Sequence, residues 1–221
     1  MRSLTTTSYA ILGILAIRPW SAYELTGYMQ TSAVRAAWPR TESRLYEEPK
    51  NLVEHGLLSA TTEHTGRRSR TVYRITAKGR RALRRWLDEP AAPRQIADET
   101  LLKVLFADQG SPEQLLATIR NAYAELSRQA TEVRKFARQV ARGDGRFPER
   151  LHVTALAARH LIGLMRGRFE YLKWAEAWVE GWDGTAIDDD KRLYAVAMLD
   201  DAAGELDAIA GELEANLAGR A

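Results

Sequence analysis

The sequence predicts a mainly α-helical chain whose first 90 residues add a short β-hairpin to several small helices and whose remainder, residues 91–221, is all helical. Three observations carry this reading. Helix start and stop signals follow one another at short intervals up to Gly56, the hydrophobic period shortens towards two between Leu57 and Thr76, and from Ser111 onward apolar residues recur in steps of three and four. The order helix, capped helix after a tight turn, third helix, basic hairpin describes an N-terminal winged helix-turn-helix with a two-stranded wing, and the long helices behind it describe an all-helical C-terminal dimerisation domain.

The first helix is expected over Thr6 to Ile17, where Pro19 stops it by restricting Arg18 to extended conformations. Ser21-Ala22-Tyr23-Glu24 is a capping box: the serine accepts from the backbone N–H three residues on, and the glutamate reaches back to the serine N–H. A second helix starts there. Trp38-Pro39-Arg40-Thr41 opens a third, with Leu45, Leu52 and Val53 inward and Gly56 as the left-handed residue that ends it. Pro49 lies inside this helix, lacks an N–H and clashes with the carbonyl four residues back, so a kink or break is expected between Leu45 and Pro49. Leu58 to His64 and Arg70 to Thr76 then flank a loop containing Gly66, Arg67 and Arg68, which makes a hairpin with a basic tip. Thr76 caps the helix that runs through Leu83 and Trp86 to Pro90, and Ala91-Ala92-Pro93 marks a domain boundary.

Beyond it, Ser111-Pro112-Glu113-Gln114 combines a capping serine, a proline at the first helical position and a reciprocal glutamine. The helix it opens carries a seam of Leu116, Ile119, Tyr123, Leu126, Ala130, Val133, Ala137 and Val140. A further helix from about Pro148 to Glu180 is apolar on two faces, which calls for burial between partners. The last, from about Asp188 to Leu217, repeats the seam with Val196, Leu199, Ala203, Leu206, Ala210, Leu213 and Leu217, and Asp188, Asp189 and Asp190 complement its dipole.

Composition narrows the function. A chain of 221 residues with 45% hydrophobic content buries a core of its own. The apolar run from Tyr9 to Ile17 is too short to cross a bilayer and Arg18-Pro19-Trp20 is no cleavage site, so no membrane role and a cytoplasmic location are expected. The absence of cysteine fits that compartment and removes disulfides, thiolate zinc and thiol nucleophiles. No Gly-rich phosphate loop or Gly-x-Ser-x-Gly elbow is present, and His55, His64, His152 and His160 lack paired ligand spacing, so neither an enzyme nor a metal or other cofactor is expected. The formal charge of +3 is split: residues 1–90 carry 15 Lys/Arg against 8 Asp/Glu, residues 91–221 carry 17 against 21. A basic first half points to a polyanionic partner, here double-stranded DNA.

The basic residues concentrate where a wing lies. Between His64 and Leu87 stand Arg67, Arg68, Arg70, Arg74, Lys78, Arg80, Arg81, Arg84 and Arg85 with no acid among them. A hairpin tip with two arginines reaches along a phosphate backbone or into a minor groove, whereas the four on the following helix fit a solvated face equally well. The third helix of a winged helix-turn-helix presents its first residues to base edges, here Thr41, Glu42, Ser43, Arg44 and Tyr46. Arg44 suits guanine O6/N7 bidentately and Glu42 suits cytosine N4, while Glu42 as a helix-start charge and Tyr46 as packing remain open. Trp174, Trp178 and Trp182 recur every four residues beside Tyr171. Tyr171, Trp174 and Trp178 are a candidate effector pocket for a planar small molecule, with plain core or dimer interface as the alternative. A winged-helix adaptor that binds protein without DNA is the alternative function.

Four strings resemble one family. Tyr9-Ala10-Ile11-Leu12-Gly13-Ile14-Leu15, Ser21-Ala22-Tyr23-Glu24-Leu25, Leu45-Tyr46 followed by Leu52-Val53-Glu54-His55-Gly56-Leu57-Leu58, and Val72-Tyr73-Arg74-Ile75-Thr76-Ala77-Lys78-Gly79-Arg80-Arg81-Ala82-Leu83 are similar to the PadR family of transcriptional regulators, and the helical remainder resembles the virulence-activator-like domain of its larger subfamily. The resemblance implies a homodimer held by C-terminal helices, bound to a roughly palindromic operator and usually repressing a nearby gene. It implies DNA contacts from Tyr9, Ser43, Tyr46, Arg67, Arg68 and Arg70. The candidate set also takes in Ser21 and Tyr23 on the second helix, Thr41 and Arg44 on the third, and Tyr73 on the hairpin. Glu47-Glu48-Pro49 departs from the more basic helix of many relatives, and Lys50 partly compensates.

Overall fold

The computed structural model describes residues 4–38, 42–65, 68–94 and 96–220. Along the chain run α1 (Thr6–Ile17), β1 (Trp20–Ser21), α2 (Ala22–Thr31), α3 (Ala33–Ala37), α4 (Glu42–Glu54), β2 (Leu58–Thr65), β3 (Arg68–Ile75), α5 (Ala77–Asp88), α6 (Glu99–Leu105), α7 (Pro112–Ala141), α8 (Leu151–Val179) and α9 (Asp189–Ala218), with single 3-10 turns at Ala107–Gln109 and Pro148–Arg150. They form two compact units, Met1–Ile96 with Phe136–Leu164, and Ala97–Lys135 with Met165–Ala221. A division near residue 90 places Phe136–Leu164 with the helical part instead.

In the first unit the local signals act as their chemistry requires. Thr5 and Ser8 form a reciprocal cap at the start of α1, and Arg18 before Pro19 is fully extended (φ −158°, ψ 170°), which ends it. Ser21 and Glu24 close the second box, with Glu24 N–H donating to Ser21 Oγ at 3.2 Å and Ser21 N–H to Glu24 Oε2 at 2.9 Å. Gly56 takes φ 68° behind α4, and the Thr76 hydroxyl accepts from Gly79 N–H at the start of α5. The core gathers Ile11, Leu12, Leu15, Trp20, Leu25, Leu45, Leu52, Leu57 and Leu58. Trp20 is fully buried. Its indole N–H donates to Ile14 C=O at 3.2 Å, and the Arg18 and Arg146 guanidiniums lie over its ring at 3.9 and 4.4 Å. Phe147 completes this cluster with Tyr28, which seats the segment between α7 and α8 on the unit.

Three expectations need correction. The hairpin is present, but the sheet has three strands in the order β1-β3-β2, all antiparallel, because Trp20 and Ser21 pair with Tyr73 and Val72. Residues too few to alternate supply that third strand. Pro49 does not break its helix: α4 continues from Glu42 to Glu54 with Pro49 buried between Leu45 and Leu52, so core packing offsets the lost backbone hydrogen bond. A short helix, α3, also intervenes between α2 and α4.

In the second unit Ser111 and Gln114 cap α7 reciprocally, as the sequence requires. α7 and α8 run antiparallel, with Tyr123 edge-on to Phe169 and Arg120 bridging Glu176 at 2.8 Å and Glu180 at 2.9 Å. The buried line on α7 is Leu115, Ile119, Ala122 and Leu126, one position round from the expected seam at Leu116 and Tyr123, and it meets Leu172, Ala175 and Val179 of α8. α9 is capped by Asp188, whose carboxylate accepts from Lys191 N–H at 2.7 Å, and none of its described residues is buried.

Packing and capping in the first unit set the stability effect of three substitutions. A Cβ on Gly79 would stand 2.3 Å from the Leu57 carbonyl oxygen, so Gly79→Ala should cost about 1–3 kcal/mol in denaturant unfolding. Gly27→Ala, in helix with open space around it, should instead gain about 0.5–1 kcal/mol. The Ser21 backbone and hydroxyl hydrogen bonds, helped by Arg18, lower the Glu24 pKa from 4.5 to about 2. A carboxylate held lower when folded stabilises fully above its ordinary value and loses that contribution as pH falls from about 4.5 to about 2. Glu24→Gln keeps the capping geometry without the charge. Its stability should lie below that of the parent at neutral pH and meet it near pH 2 in a pH series of thermal melts.

Candidate nucleic-acid interface

The exposed side of α4 follows from its buried one. Leu45, Pro49 and Leu52 face the core, which turns Tyr46, Glu47 and Lys50 outward. Glu48 is not on that surface: its carboxylate accepts from the Ser8 hydroxyl of α1. Of the two acids that set this helix apart from a basic one, only Glu47 therefore opposes a phosphate. Thr41 lies outside the described residues, as do the side chains of Glu42, Ser43 and Arg44.

Eight register pairs, from Leu58↔Ile75 to Thr65↔Arg68, make the wing a continuous ladder. Glu63 lies directly opposite Arg70 and binds it at 2.9 Å, with Arg74 at 3.5 Å on the other oxygen. Glu63 stands one position before the acid-free run that begins at His64. Only the strand register reveals the pairing. Arg67 and the side chain of Arg68 lie outside the described residues.

The remaining candidates divide by burial. Tyr23 is 81% exposed in the first turn of α2 and joins Tyr46 and Lys50 as accessible. Ser21 is buried, its hydroxyl committed to the capping box. Tyr9 is half-buried and stacks on Trp86 with ring centroids 4.9 Å apart and planes 6° from parallel. Tyr73, 5% exposed, belongs to the core, and burial raises its pKa above the ordinary tyrosine value. The third strand covers a residue that a lone hairpin would leave open.

In the second unit the expected aromatic ladder is present. Trp174 lies 5.3 Å from Trp178, which lies 5.2 Å from Trp182 and 5.0 Å from Tyr194, and Tyr171 sits 6.1 Å from Trp174. Trp174 Nε1 donates to Tyr194 Oη at 3.1 Å, whereas Trp182 Nε1 is buried with no acceptor among the described residues. A separate open groove of about 540 Å³ is lined by Leu102, Phe106, Gln114, Leu115 and Thr118. Among the described residues no three His, Asp or Glu side chains converge as a metal site, and no helix is long and apolar enough to cross a membrane.

Comparison with known proteins places this geometry. The fold is similar to that of Bacillus subtilis PadR in complex with operator DNA (TM-score 0.63, 21% identity, covering 80% of this chain and 98% of that one). It is similar also to the same protein in complex with p-coumaric acid (TM-score 0.57, 20% identity, 80% and 98%). A third likeness is to the Vibrio cholerae virulence activator AphA (TM-score 0.62, 20% identity, 79% and 98%). No curated protein sequence matches the chain. Residues 11–85, from Ile11 of α1 through the wing to Arg85 of α5, match the pattern of the transcriptional regulator PadR-like family.

Proposed function

We propose that this chain is a sequence-specific DNA-binding transcriptional regulator, a cytoplasmic repressor that binds a pseudo-palindromic operator as a homodimer. The observation that carries the reading is that, in a segment matching the PadR-like pattern, α4 with Tyr46, Glu47 and Lys50 turned outward leads directly into a basic hairpin that Trp20 and Ser21 complete as a three-stranded sheet. In this reading residues 1–90 bind DNA and residues 91–221 pair the subunits and sense an effector. Thr41, Ser43, Arg44, Tyr46 and Lys50 approach the major groove, Tyr23 holds phosphate, and Arg67, Arg68 and Arg70 of the wing follow the backbone or minor groove. Ser21 and Tyr9 act by positioning α2 and α1. Tyr73 acts through the core. The Arg70–Glu63 pair does not oppose this role, since an exposed pair is worth about 0–1 kcal/mol and a phosphate replaces the carboxylate.

That a structural neighbour takes p-coumaric acid supports a small-molecule effector here as well. Tyr171, Trp174 and Trp178 are its proposed surface, and the unpartnered Trp182 N–H beside them favours a ligand with an acceptor group. No catalytic group, cofactor or membrane enters the proposal.

Salt tests the reading. Each phosphate contact contributes about 0.9 to the slope of log K against log salt. Arg67→Ala with Arg68→Ala should weaken binding to every duplex and reduce that slope by about 1.8 in anisotropy titrations. An unchanged slope would remove the wing from the phosphate account, and a parent chain that ignores duplex at low salt would leave the adaptor reading in its place.

A further inference from the structure

The turn between α7 and α8 is tightly built. Gly143 takes φ 88° to reverse the chain behind α7, Asp144 N–H donates to Gln139 C=O at 3.1 Å, and the Gln139 side chain donates to Asp144 C=O at 3.2 Å. Pro148 then opens a 3-10 turn that Arg150 N–H closes on Phe147 C=O at 3.0 Å. Arg146 and Phe147 stand between these two fixed points. Every residue of the turn belongs to the first unit, with α1, α2 and the wing.

What the two side chains touch is the anchor of β1. The Arg146 guanidinium lies 4.4 Å from the Trp20 ring centroid, 5.7 Å from that of Tyr28 and 5.9 Å from that of Phe147, and it forms no ion pair among the described residues. Its charge is therefore answered by aromatic faces and by no acid. Arg18, which covers the same indole at 3.9 Å, is already bound to Glu24 at 3.2 Å. Phe147 and Tyr28 meet edge to face at 5.8 Å, and Phe147 lies 5.9 Å from Trp20. Residues 126 and 127 positions further along the chain thus help to bury Trp20 completely. The strand they cover has little else to hold it. Trp20↔Tyr73 and Ser21↔Val72 are its whole register, and so short a ladder does not support itself.

We infer that Arg146 and Phe147 are positioning residues for the wing: by holding the Trp20 ring they keep β1 paired to β3, and so keep the basic hairpin at the angle at which it meets phosphate. The inference rests on the DNA-binding reading of the proposed function. It adds to that reading two residues from outside the 1–90 segment, neither of which has to touch DNA.

Duplex titrations of the full chain test it. Phe147→Ala removes the contact without removing a charge, and Arg146→Ala removes it with one. At a temperature where thermal melts show them folded, each should weaken duplex binding about threefold to tenfold and lower the slope of log K against log salt by up to about 1.8, the share assigned to Arg67 and Arg68. A general loss of stability reduces the active fraction and leaves that slope alone. Both effects should vanish in the background Arg67→Ala with Arg68→Ala. Arg146→Lys should recover most of the parent's affinity, since an ammonium also binds the face of an indole. Arg142→Ala, which takes the same charge from a side chain with no partner among the described residues, should bind like the parent. Phe147→Leu, which keeps part of the apolar contact, should show the same losses in smaller measure and replaces Phe147→Ala if that variant folds poorly. Parent affinity and slope in Arg146→Ala and Phe147→Ala, a loss that persists without the wing arginines, or an equal loss in Arg142→Ala overturns the inference and leaves the DNA reading intact. A parent that ignores duplex at low salt overturns both.

Discussion

A two-residue strand fixes the relation between everything in the first unit that is proposed to meet DNA. Trp20 is anchored on both sides: its indole donates back to Ile14 of α1, and its backbone pairs with Tyr73 of the wing. Ser21 pairs with Val72 and in the same position caps α2. The start of the helix-turn-helix and the base of the hairpin are thus consecutive events on one stretch of chain. A wing tethered only through its own turn would hinge. This one has its inner strand held from both edges, and two guanidiniums close over the tryptophan that holds it.

Most of this fold was legible because its signals are local. Capping boxes at Ser21 and Ser111, the cap at Thr76, the left-handed Gly56 and the arrest at Pro19 act over four residues or fewer, and each operates as its chemistry requires. What stayed hidden depends on contacts distant in sequence. Two residues of strand carry no alternation, so β1 emerges only when β3 lies beside it. Pro49 obeys a local rule that its burial with Leu45 and Leu52 overrides. Tyr73 reads as an exposed hairpin tyrosine until the third strand covers it, and Glu63 reads as a bystander until the register sets it opposite Arg70.

The electrostatics of the interface were less legible for the same reason. Sequence alone counts Glu47 and Glu48 as two charges against phosphate, yet a hydroxyl forty residues away in α1 takes one of them. The exchange serves both helices. A carboxylate that accepts from Ser8 pins α4 against the amino end of α1, and the same hydrogen bond withdraws negative charge from the outward face. Lys50 then stands between Glu47, three residues before it, and Glu54, four residues after it, on the same helix.

On the proposed reading, few side chains per subunit reach bases. Arg44 is the one cation on the leading turns of α4, and a good bidentate pair discriminates by about 1–3 kcal/mol. One such contact does not select an operator from a genome. Two, held at a fixed separation, square the discrimination and demand a half-site spacing as well. On that same proposal, in which the second unit pairs the subunits, it is part of the recognition machinery without presenting a base-reading residue, because the separation it would impose is itself information. An effector acting on its aromatic ladder need not touch the DNA-binding residues. A change in that separation by a fraction of a helical turn is enough to take one subunit out of its groove.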